Sequence, residues 1–256
     1  MARVFISGSS MGLGLIAGRW LHGRGHEVIL HGRNAQRTQD ARGELPNAFD
    51  IVTGDLSTMA GARSVAEQVN AIGDIDAVIH NAAVGYQEPA FTTDDGLPHL
   101  FAINTLAPFI LTALIEKPRR LVYMSSGMHK SAHAHIGNLL WEQRSWNASA
   151  AYAETKLHNA MLAFYLARFW PDVPSNAVEP GWVATKMGGP GAPDDLIKGG
   201  ITQAWLAEGV DPDTHTTGKY WFHQRVRPAN PEAHDARLQD QLISELTRIS
   251  GHRLPT

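Results

Sequence analysis

Tyr152 and Lys156 are the residues whose types and spacing best fit proton-transfer chemistry. They stand in the run Tyr152-Ala-Glu-Thr-Lys156, and a separation of four residues places both side chains on one face of a helix. A free tyrosine titrates near pKa ~10, and a neighbouring ammonium group favours the phenolate and lowers that pKa. Such a pair can exchange a proton with a substrate oxygen. The same spacing also occurs on amphipathic surface helices, so the pair alone leaves both interpretations open.

Two further polar residues lie where a reaction centre would need them. Ser126 follows Ser125 at the end of an apolar run that begins at Leu121, and hydroxyl groups at a strand end either bind a ligand or cap a turn. Asn104 stands in an apolar helical stretch, and Pro108 lacks the N–H that would bond the carbonyl of Asn104. That carbonyl must find another partner, often a water molecule.

A glycine-rich turn follows the first apolar run. Its sequence is Gly8-Ser-Ser-Met-Gly12-Leu-Gly14, and a helical pattern begins directly after it. Glycines allow a tight turn, a close approach of the backbone to a pyrophosphate, and packing of the helix against the strand. The free N–H groups at the helix N-terminus then bind the phosphates. The place of this turn between a strand and a helix favours a dinucleotide site over an ordinary turn.

The end of the second apolar run indicates which dinucleotide is bound. NAD-specific sites place an acidic residue there to accept hydrogen bonds from the ribose hydroxyls, but this chain has Gly32 followed by Arg33. A guanidinium binds a phosphate dianion through paired, charge-assisted hydrogen bonds. We therefore expect NADP(H), with NAD(H) as the alternative. A solvated arginine in a turn is the other interpretation of Arg33.

Short apolar strands alternate with longer amphipathic stretches along the chain. The alternation predicts a doubly wound α/β fold, a Rossmann fold with a seven-stranded, mainly parallel sheet and helices on both faces. The predicted strands are Arg3–Ser7, Glu27–His31, Phe49–Thr53, Ala77–His80, Leu121–Ser125, Asn176–Val178 and Lys219–Phe222. The predicted helices are Gly12–Arg24, Ala35–Glu44, Met59–Ile72, Asp94–Ile115, Ser149–Phe169 and Ala233–Ile249. Residues 1–256 are expected to form one domain, with a substrate lid around 184–212, where glycine and proline mark loops that close.

The glycine turn, Ser126 and the Tyr152–Lys156 pair resemble, in order and spacing, the motifs of the short-chain dehydrogenase/reductase family. The resemblance implies that Tyr152 is the general acid/base, that Lys156 supports it and holds the nicotinamide ribose, and that Ser126 orients the substrate oxygen. It also implies that Asn104 holds a water molecule through which a proton is resupplied. The cofactor-binding residues that it implies are Gly8, Ser10, Met11, Gly12, Leu13, Gly14, Arg33, Asp55, Leu56, Asn81, Ala82, Tyr152, Lys156, Pro180, Gly181, Val183 and Thr185.

The chain also departs from the common pattern of that family. Met11 stands where many NADP-using members have a basic residue. The interval between Ser126 and Tyr152 is about twice that of the compact members, and with its Trp141 and Trp146 it resembles the retinol-dehydrogenase-like branch. These tryptophans either line a substrate pocket or simply pack in the interior. The insert also contains His129, His133 and His135, but no further ligand is evident, so no metal site is expected.

Composition limits the remaining classes of function. The net charge is −3 without a block of like charges, which argues against nucleic acid and membrane surfaces as partners. The absence of cysteine excludes disulfides and thiolate catalysis. No apolar run approaches the ~20 residues of a membrane span, and no signal-peptide pattern is evident, so a cytoplasmic location is expected. Ala160, Met161 and Phe164 on the fifth helix face either the chain's own sheet or a partner in a homodimer or homotetramer.

Together these features predict an NADP(H)-dependent oxidoreductase that transfers a hydride between nicotinamide and a small-molecule carbonyl or secondary alcohol, as a carbonyl reductase does. A non-catalytic NADP(H)-binding redox sensor is one alternative, but such sensors commonly lose the tyrosine or the lysine, and this chain keeps both. An epimerase or dehydratase acting on a nucleotide-linked sugar is the other. It would normally need a larger carboxyl-terminal region than the one that follows Pro180.

Overall fold

One eight-stranded sheet determines where the functional residues lie. The computed structural model describes residues 1–256. The strands are β1 (Arg3–Ile6), β2 (Glu27–Gly32), β3 (Asp50–Thr53), β4 (Ala77–His80), β5 (Arg120–Met124), β6 (Ser175–Glu179), β7 (Tyr220–Phe222) and β8 (Arg225–Arg227). Their order in the sheet is β3-β2-β1-β4-β5-β6-β7-β8. All neighbours pair in parallel except β7 and β8, which are antiparallel. The sheet is therefore doubly wound, with its switch point between β1 and β4.

Helices cover both faces of this sheet, as the sequence predicts. They are α1 (Gly12–Gly23), α2 (Ala35–Glu44), α3 (Met59–Ile72), α4 (His99–Phe101), α5 (Ala107–Leu114), α6 (Ala148–Phe169), α7 (Leu196–Glu208) and α8 (Ala236–Ser250). The strands alternate between two cores: Phe5 lies in the larger one with residues of α3, α5, α6 and α8, whereas Val4 and Ile6 lie in the smaller one with α1 and α7. This alternation follows from the two-residue period of a strand.

The parallel register brings the carboxyl ends of the central strands to one edge. Ile6 pairs with Ile79 and Met124 pairs with Val178, so β1, β4, β5 and β6 end side by side. The segments that follow these strands carry the glycine turn, Asn81, Ser126 and Pro180. Residues far apart in the sequence thus meet where doubly wound sheets bind their ligands.

The strand β8 was not predicted, because the sequence indicated seven strands. It pairs with β7 through a two-residue turn in which His223 and Gln224 have φ angles of 48° and 60°. Two consecutive positive φ angles define the hairpin turn whose twist matches that of the flanking strands. Asn-Gly or Asp-Gly usually signals such a turn, and neither pair is present at 223–224. The hairpin therefore had no recognisable sequence signal.

Two other segments also differ from the sequence-based expectations. The helix predicted to begin at Asp94 begins at His99, and its residues Ala102–Leu106 form a π-helical turn. The predicted lid contains α7, which begins after the capping residue Asp195, whose side chain accepts hydrogen bonds from two N–H groups of the first turn.

Ala160, Met161 and Phe164 are buried in the larger core of the chain itself. No helix combines the length and the apolar character that crossing a membrane requires.

Candidate active site

Tyr152 and Lys156 lie one turn apart on α6, as predicted, and both are buried, with 7% and 2% of their surface exposed. The ammonium nitrogen Nζ of Lys156 lies 5.4 Å from the centroid of the Tyr152 ring and donates a hydrogen bond to the carbonyl of Met124 at 3.1 Å. The helix begins after Asn147, whose side chain accepts a hydrogen bond from the N–H of Ala150. The pair is therefore part of the interior and not of an amphipathic surface.

Two hydrogen bonds fix α6 against the end of β5 and so position the pair. The hydroxyl of Ser125 donates to the carbonyl of Lys156 at 2.7 Å, and the amide of Asn159 donates to the carbonyl of Met124 at 3.0 Å. All of these groups are buried, where a lost hydrogen bond is costly. Ser125 and Asn159 thus hold the helix in its register relative to the strand.

Burial changes the acidity of both central groups. It raises the pKa of Tyr152 to about 12, with a smaller contribution in the same direction from Tyr86, whereas a hydrogen bond with the Ser126 side chain acts in the opposite direction. Burial also lowers the pKa of Lys156 to about 7. The sequence argument expected Lys156 to lower the pKa of Tyr152, but desolvation of the phenolate has the larger effect. Tyr152 consequently carries its proton throughout the neutral range.

Ser126 lies at the end of β5 beside Tyr152, in agreement with the sequence-based expectation. Its hydroxyl also accepts a hydrogen bond from the N–H of Met128 at 3.3 Å, at the start of the short 3₁₀ helix Gly127–Ser131. The ring of the buried His129 bonds the Ser126 carbonyl at 2.7 Å through Nδ1. Ser126 therefore faces the tyrosine and caps a turn, and its contact with a substrate oxygen stays a prediction.

The side chain of Asn104 is fully paired within the protein. Its Oδ1 accepts from the N–H of Val84 at 2.9 Å, and its Nδ2 donates to the carbonyl of Val84 at 3.0 Å and to Thr155 Oγ1 at 3.2 Å. Asn104 thereby connects the loop after β4 to α6. It lies within the π-helical turn Ala102–Leu106, a local geometry that is frequent at functional sites. Its link to a water relay stays a prediction.

Two glycines of the turn, Gly8 and Gly14, have no room for a side chain. Gly8 has φ = 62°, and a Cβ added there would lie 2.7 Å from Cα of Ala82. A Cβ at Gly14 would lie 2.5 Å from Nδ2 of Asn81, which donates to the carbonyl of Gly8 at 2.9 Å. At Gly12, in contrast, the space is open. The turn is therefore closely packed against Asn81 and Ala82 and open at Gly12, where a pyrophosphate can approach the backbone.

The start of α1 offers free N–H groups beside this open space. Its capping residue is Met11, whose side chain makes no capping hydrogen bond and is 44% exposed. The N–H groups of the first helical turn have no partner inside the helix, so they are available to an anion. Ser10 and Leu13, also predicted to contact the cofactor, are both half-buried in the same turn. These residues fit the phosphates of a dinucleotide.

His31, at the end of β2, is a residue of this region that the sequence reasoning missed. The N–H of Gly8 donates to its Nδ1 at 2.9 Å, and its Nε2 bonds the carbonyl of Gly54 at 2.8 Å. These partners require the tautomer with the proton on Nε2. Burial lowers the pKa of His31, with the carbonyl of Gly54 and the charge of Asp55 acting in the opposite direction. A neutral imidazole thus joins the glycine turn to the loop after β3.

The residues expected to select the cofactor lie beyond His31. A Cβ at Gly32 would lie 2.6 Å from the backbone nitrogen of Thr38, so the close approach of α2 excludes a carboxylate at this position. Arg33 is exposed beside the turn, whereas Arg37 one helical turn further on pairs with Asp40 at 3.1 Å. The position of Arg33 is compatible with contact to a phosphate on the ribose.

The next predicted cofactor residues follow β3 and β4, at the same edge of the sheet as the glycine turn. Asp55 is exposed and accepts from the N–H of Ser57 at 2.9 Å, the turn contact that its type alone would suggest, while Leu56 is buried. The hydroxyl of Ser7 accepts hydrogen bonds from the N–H groups of both Asn81 and Ala82. Their predicted contacts with adenine and ribose stay predictions.

The segment after β6 is held by Asp194, a second residue that sequence reasoning missed. Its Oδ2 accepts from the N–H of Trp182 at 2.7 Å, and a Cβ at Gly181 (φ = 87°) would lie 2.7 Å from the same oxygen. Val183 is buried, and the Thr185 hydroxyl accepts from the N–H of Gly188 at 3.2 Å. Together with Pro180, this segment borders the cleft from the side of β6.

The insert before α6 contributes aromatic side chains near Tyr152. Trp141 and Trp146 pack against the small cluster of Leu100, Ala151 and Tyr152, as does Tyr86 from the loop after β4, a third residue that the sequence reasoning missed. The three histidines of the insert have separate partners: His129 accepts from the N–H of Asn230, His133 pairs with Glu232, and His135 pairs with Glu154. No group of three or more His, Asp or Glu side chains is arranged to hold a metal ion.

This geometry is that of a short-chain dehydrogenase. A family model described as short chain dehydrogenase matches residues 2–195, and the chain belongs to that family. It is therefore an oxidoreductase that binds a nicotinamide cofactor and acts on small molecules.

Among individual proteins, the chain is similar to the short-chain dehydrogenase chyC of Penicillium rubens, with 38% identity over the whole of both chains. It is also similar to retinol dehydrogenase 13 of Homo sapiens, with 27% identity over 99% of this chain and 86% of that protein. The retinol dehydrogenases are thus more distant relatives. A crystal structure of an uncharacterized protein from Mycobacterium paratuberculosis has a TM-score of 0.85 at 23% identity, covering 100% of this chain and 96% of that one. That likeness supports the fold.

Proposed function

We propose that the protein reduces a carbonyl compound to the alcohol with NADPH, and catalyses the reverse oxidation with NADP⁺. The observation that carries this proposal is the buried Tyr152, with the Ser126 hydroxyl beside it and Lys156 one helical turn away. A carbonyl oxygen that is about to gain negative charge needs hydrogen-bond donors and one transferable proton. These residues supply both.

The reaction follows from the positions of these residues. Nicotinamide supplies the hydride to the carbonyl carbon when the cofactor is bound. The hydroxyls of Ser126 and Tyr152 hold the carbonyl oxygen, and Tyr152 then donates its proton to that oxygen. Lys156, whose pKa burial lowers to about 7, exchanges a proton readily near neutral pH and is positioned to restore the tyrosine. We place Asn104 in the same relay, because Pro108 leaves its carbonyl without the usual helical donor.

The cofactor preference rests on β2 and the turn after it. Gly32 leaves no carboxylate to repel a 2′-phosphate, and Arg33 is exposed where it can pair with one. The open side of the Gly8–Gly14 turn receives the pyrophosphate. We assign Asp55 and Leu56 to the adenine end, Asn81 and Ala82 to the ribose, and Pro180, Gly181, Val183 and Thr185 to the carboxamide end. NAD(H) is the alternative cofactor.

We also propose that residues 1–256 act as one domain and that 184–212 is its substrate lid. Met187 of this segment contacts the loop after β4, because a Cβ at Gly85 would lie 2.7 Å from its Cγ. That contact closes one side of the cleft next to Tyr86. Opening of this segment would release the product.

The test is the substitution Tyr152→Phe, with Tyr165→Phe as a matched control. Tyr165 lies on the same helix but stacks on Phe169 at the protein surface. We expect Tyr152→Phe to lower kcat about a hundredfold to ten-thousandfold while NADPH binding stays unchanged, and Tyr165→Phe to keep full activity. NADPH oxidation is followed with a panel of aldehydes and ketones, and cofactor binding by titration. Full activity of the Tyr152→Phe protein would overturn the mechanism.

A further inference from the structure

The side chains around Tyr152 form an apolar surface that the catalytic mechanism does not use. We call the three rings Tyr86, Trp141 and Trp146 the aromatic wall. They contact the cluster of Leu100, Ala151 and Tyr152, and Met128 and Met187 contact the same cluster. All three rings are half-buried and not enclosed in the core. Each therefore keeps part of its surface exposed at the edge of the cluster that contains Tyr152.

The rings are arranged edge to face. Tyr86 meets Tyr152 with ring centroids 5.9 Å apart and planes at 71°, and Trp141 meets Trp146 at 5.3 Å and 63°. Edge-to-face pairs are a favoured geometry because the edge of one ring is positive and the face of the other is negative. In each pair one ring keeps a face that its partner does not cover. A flat ring system can stack on such a face.

A charged pair behind the wall keeps it rigid. The guanidinium of Arg144 lies 3.8 Å above the ring of Trp141 and bonds both carboxylate oxygens of Glu154, at 2.6 and 2.8 Å. Trp141 itself has φ = 60°, a backbone conformation that is rare for a bulky residue and costs on the order of 1 kcal/mol. A tryptophan that only fills the interior does not need a strained backbone. The strain is consistent with a ring that is held in place for a ligand.

The polarity of the aromatic wall further restricts the chemical class of the ligand. None of its side chains is charged, and Arg144 and Glu154 neutralise each other. The indole N–H of Trp146 is buried and has no hydrogen-bond acceptor in the protein, which is costly unless a ligand supplies one. A narrow cavity adjoins Trp141 and Trp146, and its free space is close to that of one water molecule. The wall thus has one unused donor beside a space that an acceptor atom can fill.

From this geometry we infer that the substrate is an uncharged, planar aromatic ketone or aldehyde with a hydrogen-bond acceptor remote from the reacting carbonyl. Its rings stack on the aromatic wall, its distant acceptor bonds the Trp146 N–H, and its carbonyl lies at Tyr152 and Ser126. This inference rests on the proposed function. In the reaction the carbonyl carbon accepts the hydride of NADPH, which becomes NADP⁺, and the oxygen accepts the proton of Tyr152.

The experiment compares four ketones with saturating NADPH: 6-methoxy-2-acetylnaphthalene, 2-acetylnaphthalene, cyclohexyl methyl ketone and 4-acetylbenzoate. We expect kcat/KM to be about tenfold higher for the two naphthyl ketones than for the aliphatic and the anionic one, and highest for the methoxy compound. Trp146→Phe should remove the advantage of the methoxy group but keep the preference for rings, whereas Trp146→Ala should lose both. Trp20→Phe, on the half-buried surface of α1, serves as the control and should change neither.

A binding measurement separates this inference from the proposed function. The Tyr152→Phe protein loaded with NADP⁺ is titrated with the same four ketones, and tryptophan fluorescence reports binding. Selective binding of the naphthyl ketones supports the wall even if the wild-type protein reduces none of them, an outcome that would overturn only the proposed reduction. Turnover without preference for aromatic ketones, or with preference for 4-acetylbenzoate, overturns the wall and leaves the reduction intact. If the ketones neither bind nor are reduced, both the inferred substrate class and the proposed reduction are overturned.

Discussion

The cofactor side and the substrate side of the cleft are held in place by different kinds of contact. Around the glycine turn the contacts involve backbone: the N–H of Gly8 donates to His31, its carbonyl accepts from Asn81, and Gly14 has no space for a Cβ. The insert before α6 is held instead by side chains, above all by the bond of Arg144 to both oxygens of Glu154. The cofactor side depends on the close approach of backbone atoms, whereas the substrate side depends on a pair of opposite charges.

This difference predicts which kind of substitution should damage each side of the cleft. A region in which backbone atoms already touch cannot take an additional methyl group without moving. A largely buried ion pair tolerates small changes in volume, but removing one partner leaves the other charge without compensation. We therefore expect steric substitutions to damage cofactor binding and the loss of a charge to damage the substrate side.

The largest effect is expected from Arg144→Ala. The carboxylate of Glu154 has only 5% of its side chain exposed, and without Arg144 its remaining partner is Nδ1 of His135 at 3.1 Å, so the substitution should lower the free energy of unfolding by about 3 kcal/mol. The exposed pair of Arg168 with Asp240 provides the control, because Arg168→Ala should cost less than about 1 kcal/mol. Denaturant unfolding measures both. We also expect NADPH affinity to stay unchanged in Arg144→Ala, and a fall in that affinity would contradict the separation of the two sides.

Gly14→Ala tests the cofactor side. The added methyl group would collide with the Asn81 amide at 2.5 Å and with the carbonyl of Gly8 at 2.9 Å, and such overpacking costs about 2 kcal/mol. Because Asn81 must move, NADPH affinity should also fall. Gly23→Ala, at the other end of α1 and without any atom within 4 Å, should be neutral or slightly stabilising. Equal effects of the two substitutions on cofactor binding would argue against the steric explanation.

His31 predicts a pH dependence of the same region. Burial holds its pKa below the ordinary ~6.5, so between these two pKa values the unfolded chain binds a proton that the folded chain does not. Stability should therefore fall as the pH drops below ~6.5, by up to ~1.4 kcal/mol per pH unit from this group. Protonation at Nδ1 also removes the acceptor of the Gly8 N–H.

The measurement is the difference between the wild-type protein and His31→Asn, since other buried histidines also titrate. The asparagine keeps an oxygen near the position of Nδ1 but does not titrate. Both proteins are unfolded at several pH values, and NADPH affinity is measured alongside. We expect the wild-type protein to lose stability and affinity more steeply towards acid than His31→Asn. Parallel curves would show that His31 does not set this dependence.

The same contrast explains what could be predicted from the sequence. The doubly wound sheet and the meeting of Ser126, Tyr152 and Lys156 follow from local patterns, because strand periodicity and helical spacing are properties of short segments. Gly8 and Gly14 were recognisable because glycine is the only residue that fits such contacts. The predicted strands and helices agree with the structure where periodicity is strong, and the β7–β8 hairpin was missed because its turn has none of the usual residues.

The residues that the sequence reasoning missed have roles set by distant neighbours. His31 acts through Gly8 and Gly54, which lie 23 residues away on either side, and Asp194 acts on Trp182 across the loop after β6. Tyr86 meets Tyr152 edge to face, and Asn104 holds Val84, two residues before Tyr86. No periodicity or motif marks such contacts, since they exist only after the chain has folded. Contacts of this kind were therefore missed on both sides of the cleft.

The smallest effect is expected from Arg33→Ala. This substitution compares an exposed charge on the cofactor side with the close backbone contacts of the glycine turn. Arg33 is exposed, so its contact with a 2′-phosphate is screened by solvent, and its loss should weaken NADPH binding about fivefold, or ~1 kcal/mol. NADH affinity should not change, because NADH lacks that phosphate. Arg42→Ala, an equally exposed arginine in the last turn of α2, controls for the loss of charge. If both substitutions weaken NADPH and NADH alike, Arg33 acts through the general field of the protein and does not select the cofactor.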